Sequence, residues 1–289
     1  MKDTKPSALS KLITEAFAME VESAQEAGAL GFMARAMVQA SLPHSKTEGR
    51  DFERTNGNFT LRVTADPDAG LPYGSIPRLL LAWVTTEAVR TRSRDLELGD
   101  TLTGFMRELD LVPTGGRWGS ITRLREQTRR LFYAQFVAIY RAGKNEKRRT
   151  RQIADDTDFW WDHRSPGQGS LWKSTVRLSE PFFTEIVDSP IPIDMRALRA
   201  LKRSPMALDI YCWLTYRMSY LKAPAAIPWE ALQRQFGAGY AETALGTRHF
   251  RESFLKALKK VGVVYPEARI EANTPGVKLI PSRAHVRGR

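Results

Sequence analysis

The sequence of 289 residues holds one cysteine, Cys212. That excludes an intramolecular disulfide and suits a reducing cytoplasm. Apolar and aromatic neighbours make Cys212 a small core residue. Histidine is also scarce: His44, His163, His249 and His285 stand at no metal-ligand spacing. A rolling-circle nickase needs two histidines around one hydrophobic residue plus a nucleophilic tyrosine, and the histidine pair is missing. No Gly-x-x-x-x-Gly-Lys-Ser/Thr loop occurs; Gly115 to Ser120 lacks both the lysine and the spacing, so no nucleotide hydrolysis is expected. No apolar run approaches the roughly 20 residues needed to cross a bilayer. Glu15, Glu20 and Glu22 interrupt any apolar core that would mark a signal peptide. No catalytic residue, metal or cofactor is expected, and the expected location is cytoplasmic. Acids are short as well, 32 against 44 Lys plus Arg, giving +12 and a pI near 9.9. That imbalance favours a polyanionic partner, and the lack of a membrane span turns the choice towards nucleic acid.

The positive charge is concentrated. Pro113 to Tyr133 begins as a turn punctuated by Pro113, Gly115, Gly116 and Gly119, with Ser120 placed to cap the helix that follows. At about 100° per residue, Ile121, Leu124, Thr128, Leu131 and Phe132 share one face. Thr122, Arg123, Glu126, Arg129 and Arg130 share the other. The back suits a core. The front suits phosphate oxygens and guanine edges, which arginine pairs in a bidentate way. A solvated charged face is the alternative for any lone basic helix, so the surrounding order of elements has to decide.

Residues 1–57 read as a helical N-terminal segment followed by a polar linker over 43–57. Alternation of Phe59, Leu61 and Val63 reads as a strand. Ser75 and Asp100 are placed to cap two helices separated by a short extended piece at Leu96–Gly99. After the basic helix, Phe136–Tyr140 reads as a strand, then Lys144, Lys147, Arg148, Arg149 and Arg151 make a basic wing tip. Phe159, Trp160 and Trp161 mark the return strand, Leu171–Leu178 another, and Ser179 starts a short helix. Strand, helix, short strand, helix, turn, basic helix and strands around a basic loop is the order of a winged helix-turn-helix.

Asp188 to Pro192 reads as a boundary, because two prolines hold the chain extended. The same order then recurs. Asp194 opens a short helix, Ser204-Pro205 a long one, and Trp229, Leu232 and Phe236 mark a third. Gly246–Val261 follows as an amphipathic helix with Phe250, Phe254, Ala257, Leu258 and Val261 inward and Arg248, His249, Glu252, Lys256 and Lys259 outward. Val263–Tyr265 and Val277–Ile280 read as strands around a loop. Ala82-Trp83-Val84-Thr85 and Cys212-Trp213-Leu214-Thr215 match in character, which suggests a duplication. The expected fold is α+β: the helical N-terminal segment 1–57, a winged-helix domain 58–189 and a second winged-helix domain 190–289. Candidate DNA-binding residues are Arg117, Thr122, Arg123, Arg129, Arg130, Lys144, Lys147, Arg148, Arg149, Arg151, Arg248, His249, Lys256 and Lys259.

Asp155, Asp156, Asp158, Asp162 and His163 raise the alternative of a metal-dependent nuclease, but a solvated acidic turn explains them more simply. Trp160 and Trp161 read as core, with base stacking as the alternative.

Two runs, Leu71-Pro-Tyr-Gly-Ser-Ile-Pro-Arg-Leu-Leu-Leu-Ala-Trp-Val-Thr-Thr-Glu-Ala-Val-Arg-Thr91 and Pro113-Thr-Gly-Gly-Arg-Trp-Gly-Ser-Ile-Thr-Arg-Leu-Arg-Glu-Gln-Thr-Arg-Arg-Leu-Phe132, resemble the plasmid RepA replication initiators of Gram-negative bacteria, relatives of TrfA-like proteins. The resemblance spans about residues 58–285 and departs at Asp110, where a glycine is expected to close a helix. It implies two winged helices that bind directly repeated sites (iterons) in double-stranded origin DNA. It further implies opening of adjacent duplex, recruitment of host helicase and initiator proteins, and a shift between homodimer and monomer; no membrane partner is expected, since no long apolar run occurs. A transcriptional regulator on the same fold and a DNA-nicking relaxase or nuclease are the competing classes.

Overall fold

A computed structural model of the chain describes residues 12–14, 16, 17, 19, 22–159, 174–237 and 239–286. The chain divides into two compact units, one spanning Phe32–Pro190, the other Ile191–Arg289 together with the chain up to Gly31. Leu30–Met33 (β1) and Arg35–Gln39 (α1) come first.

The unit 32–190 contains two antiparallel sheets. One has the order β2 (Asp51–Asn56), β3 (Phe59–Thr64), β5 (Gln135–Ala142), β6 (Asn145–Gln152). The other has the order β4 (Asp95–Glu97), β8 (Thr175–Leu178), β7 (Ala154–Asp158). The stretch 43–57 is therefore not all linker. Phe52 is buried in β2, and Gly57, at φ 56°, makes the two-residue turn that returns the chain into β3.

Three helices carry the core of this unit: α2 (Ser75–Thr91), α3 (Leu102–Glu108) and α4 (Ser120–Tyr133). Leu79, Leu80, Leu81, Trp83, Val84 and Ala88 are all buried, so α2 is apolar almost all round, as a central helix must be. Arg78 is buried with them, and donates to the carbonyls of Leu42, Pro43 and Gly74 at 2.7, 3.2 and 2.7 Å. A buried guanidinium needs such acceptors, and in meeting that need it ties the 42–43 loop to the helix. The three expected caps are each displaced by one residue: Gly74, Thr101 and Gly119 hold the N-cap positions, and of these only Thr101 caps through its side chain, accepting from Gly104 N at 3.0 Å. Asp110 takes the left-handed conformation (φ 54°) and Leu111 N–H reaches back to Met106 O at 2.7 Å. Aspartate tolerates that region where most residues do not, so it ends the helix as glycine would. Glu180–Asp188 (α5) closes the unit.

In the second unit β9 (Ile191–Asp194) leads into α6 (Met195–Leu201) and α7 (Pro205–Tyr220), capped by Asp194 and Ser204. Then come β10 (Ala225–Pro228), α8 (Trp229–Phe236), α9 (Ala244–Val264), β11 (Arg269–Ala272) and β12 (Gly276–Ile280). Val263–Tyr265 is thus not a strand: Val261 and Val264 continue the buried stripe of α9 for a further turn, and the pairing strand is the more polar β11. The Tyr211 hydroxyl accepts from Asp194 N at 2.9 Å and meets His285 Nδ1 at 2.8 Å. Burial pushes the imidazole pKa of His285 down, which favours its neutral form.

The two units share an order. In the first, α2, β4, α3, α4, β7 and β8 form a sheet in which the last strand lies between the other two. In the second, α7, β10, α8, α9, β11 and β12 do the same. Trp83 of α2 meets Phe105 of α3 edge-on at 4.9 Å, and Trp213 of α7 meets Phe236 of α8 edge-on at 5.5 Å. The hairpin β5–β6 is an addition to this order in the first unit.

Candidate nucleic-acid interface

The turn before α4 is stapled by its own side chains. Thr114 N–H donates to Ser120 Oγ and Ser120 N–H to Thr114 Oγ1, both at 2.9 Å, while Ser120 Oγ donates to Val112 O at 2.6 Å. Ser120 is therefore a clamp on the turn rather than the helix cap. Gly119 is required here, since a Cβ would lie 2.2 Å from Thr114 O.

The helix that follows buries Ile121, Leu124, Gln127, Thr128, Leu131 and Phe132. Arg123, Arg129 and, in the turn, Arg117 are exposed. Arg129 lies over the Tyr133 ring and Arg117 over the Trp118 ring, at 5.7 and 5.1 Å. Two expected front residues are engaged elsewhere. Thr122 Oγ1 donates to Gly116 O at 3.0 Å. Arg130 is half-buried over the Tyr73 ring at 5.1 Å and donates to Leu71 O at 3.3 Å. The helical wheel could not see the 71–73 loop that draws it back. Arg125 was not expected in front, because the wheel sets it beside the apolar stripe, yet it is exposed.

Most of the expected basic wing tip is not a loop. Lys147, Arg148, Arg149 and Arg151 lie within β6, the edge strand of its sheet, and Lys144 sits in the turn after Gly143. The register opposes Tyr140 to Lys147, Ala138 to Arg149 and Phe136 to Arg151, which puts those three basic residues on one face and Arg148 on the other. Arg151 is turned inward, donating to Glu185 Oε2 and to Pro181 O at 2.5 Å, with its side chain 16% exposed. Its role is to hold β6 against α5. Arg151→Gln is therefore expected to lower stability by about 1.5–3 kcal/mol, the worth of a charge-assisted hydrogen bond. It should leave the affinity of the folded protein for random duplex unchanged, while Lys147→Gln weakens that affinity. Denaturant unfolding and fluorescence anisotropy check the two halves of the expectation.

By element order, the counterpart of the β11–β12 hairpin in the first unit is β7–β8, whose connection, including Trp160, Trp161, Asp162 and His163, lies outside the described residues. Asp155, on β7, pairs with Arg94 at 2.7 Å. Among the described residues no group of His, Cys, Asp and Glu could hold a metal ion, and no helix is long and apolar enough to cross a membrane.

In the second unit Thr243 caps α9 by accepting from Gly246 N at 3.1 Å. Gln233 fixes the preceding turn, donating to Ala241 O at 3.0 Å and accepting from Thr247 Oγ1 at 2.7 Å. Gly246 repeats the device seen at Gly119: a Cβ there would lie 2.1 Å from Ala241 O, the carbonyl five residues back. Arg248, His249, Lys256 and Lys259 are exposed on the outer face, as is Lys260, which was not among the expected residues. Arg248 Nε meets Glu252 at 3.2 Å in a pair open to solvent, which holds it only weakly.

Each unit thus presents a helix with a buried apolar back, an exposed arginine in its first turns and a rigid turn ahead of it. The fold is similar to that of domains 2 and 3 of RctB in a crystal structure, at 10% sequence identity and a TM-score of 0.55, over 86% of this chain and 96% of that one. No curated protein matches the chain. Residues 71–230 match the family described as plasmid encoded RepA protein.

Proposed function

Since the chain belongs to the RepA family of plasmid replication initiators, we propose that it is a non-enzymatic protein that binds repeated sites in plasmid origin DNA through two winged-helix domains. It opens the adjacent duplex and draws host helicase and initiator proteins to it. The observation that carries this reading is the repeated order of elements, each copy ending in a basic helix followed by a hairpin. In that fold the third helix enters the major groove and the hairpin lies along the backbone or minor groove. The helices here are α4 and α9, and the hairpins β7–β8 and β11–β12. The β5–β6 hairpin adds Lys147, Arg148 and Arg149 as a further basic strip that positions the protein without reading sequence.

Base readout falls to Arg123 and Arg248, which sit near the start of their helices, where recognition helices reach base edges. Anchoring falls to Arg129, Lys256 and Lys259 further along, the two lysines acting as point charges on phosphate. Arg123→Ala or Arg248→Ala is expected to cost about 1–3 kcal/mol on the cognate repeat and to relax preference at one base position. Binding-site selection with wild type and each variant tests this. Base preferences identical in all three proteins would remove α4 and α9 from sequence reading.

A further inference from the structure

Among the described residues seven large apolar side chains are exposed, and two of them, Trp118 and Leu245, stand at matching places, the starts of α4 and α9. Trp118 is the most exposed of the seven, at 81%, and Leu245 is 61% exposed. Single exposed apolar residues are ordinary, so position and mounting have to carry the argument. Trp118 is followed by Gly119 and Leu245 by Gly246, and at each glycine a Cβ would meet the carbonyl five residues back. The turn bonds of Thr114 and Ser120 in one unit, and of Gln233 in the other, fix the backbone on which each apolar side chain stands. The same local device, an apolar residue held outward ahead of a tightly packed glycine, has been built twice.

The surroundings identify what the two side chains meet. Arg117 lies over the Trp118 ring, with Arg123 and Arg125 exposed on the following turns. Arg248 and His249 follow Leu245 in the same way. An exposed apolar group with an arginine close to it suits a polyanion that carries an apolar spot. In the major groove the thymine C5-methyl is the one apolar group on a base edge. Building on the DNA-binding reading above, we infer that Trp118 and Leu245 each contact a thymine methyl in the bound repeat, beside the bases read by Arg123 and Arg248. Specificity in each unit then combines one guanidinium and one apolar contact.

Replacing dT by dU in the duplex selected with the wild-type protein, one position at a time, tests the inference with the full chain. Wild type is expected to lose about fourfold in affinity at a position met by Trp118 and again at one met by Leu245, the worth of one buried methyl-sized group. Trp118→Ala should abolish the first loss and leave the second, Leu245→Ala should do the reverse, and Trp118→Phe should retain part of the first. Folding of each variant is checked by its unfolding midpoint. If wild type binds its selected duplex but tolerates every dT→dU change, the inference fails while the DNA-binding reading stands. Losses that persist unchanged in both alanine variants also overturn it. If Trp118→Ala alters self-association and leaves the dT→dU pattern intact, the tryptophan serves a contact between copies and the inference is wrong. A wild-type protein that selects no sequence at all removes the reading on which the inference rests.

Discussion

Raising the salt from about 50 to about 200 mM is expected to weaken the binding of this protein to duplex DNA about a thousandfold, provided about six phosphates are engaged. Each neutralised phosphate releases condensed counterions, and the logarithm of the binding constant falls by about 0.9 per phosphate for each tenfold rise in salt. The exposed set of Arg117, Arg123, Arg129, Lys147, Arg148, Arg149, Arg248, Lys256 and Lys259 is large enough to supply those contacts. Arg130 and Arg151 are excluded from it, because one is held by Leu71 O and the Tyr73 ring and the other by Glu185. Neutralising Lys259 should make the salt slope shallower by about one unit, and neutralising Arg130 or Arg151 should leave it alone. Anisotropy titrations on one duplex at several salt concentrations measure all of these. An affinity indifferent to salt would mean that the basic surfaces face something other than phosphate.

Truncating Trp83 to alanine is expected to destabilise the unit 32–190 by about 3–5 kcal/mol, the usual cost of emptying a large aromatic site in a core. Trp213→Ala should do the same to the unit built on 191–289. The two tryptophans do one job in two places. Each projects from the long central helix of its unit, buried, and meets an aromatic ring of the next helix edge-on. Trp83 also donates from Nε1 to Glu108 Oε2 at 2.7 Å, so Trp83→Phe should keep most of the packing and lose about 1.5–3 kcal/mol with that bond to a carboxylate. Denaturant unfolding followed by limited proteolysis can assign each loss to a unit. If both variants lowered one shared transition equally, the units would not unfold independently, and the division at Pro190 would be one of packing only.

The helices were legible because burial on one side imposes a period, and that period is written in the residues. Leu124, Thr128 and Leu131 marked the back of α4, and Phe250, Phe254 and Ala257 the back of α9. Strands on the surface leave a fainter record. β2 reads Asp-Phe-Glu-Arg-Thr-Asn, with Phe52 its single buried residue, so composition suggested a linker, although the Gly57-Asn58 turn was a usable hairpin signal. β6 carries Lys147, Arg148, Arg149 and Arg151, and such a cluster of like charge imitates a loop; only the register against β5 makes it a strand. The repeated order of elements was legible, but the most basic hairpin, β5–β6, stands outside that order, in which β7–β8 takes the place matching β11–β12. Individual site residues were least legible. Whether an arginine projects or folds back depends on a neighbour from elsewhere in the chain, such as Leu71 for Arg130 or Glu185 for Arg151.

The pairings of the first unit cross one another along the chain. β3 at 59–64 pairs with β5 at 135–142, while β4 at 95–97, which lies between them in sequence, pairs with β8 at 175–178, beyond both. A growing chain cannot complete the second sheet when it completes the first. Until residues 175–178 have emerged from the ribosome, β4 has no partner, however well the β3–β5 pair has formed. Contacts of such long sequence separation form late and slowly. The order of synthesis therefore completes the β3–β5 sheet before the sheet that contains β4. A chain that ends before residue 175 carries α4 without the β4–β8 pairing of the finished unit.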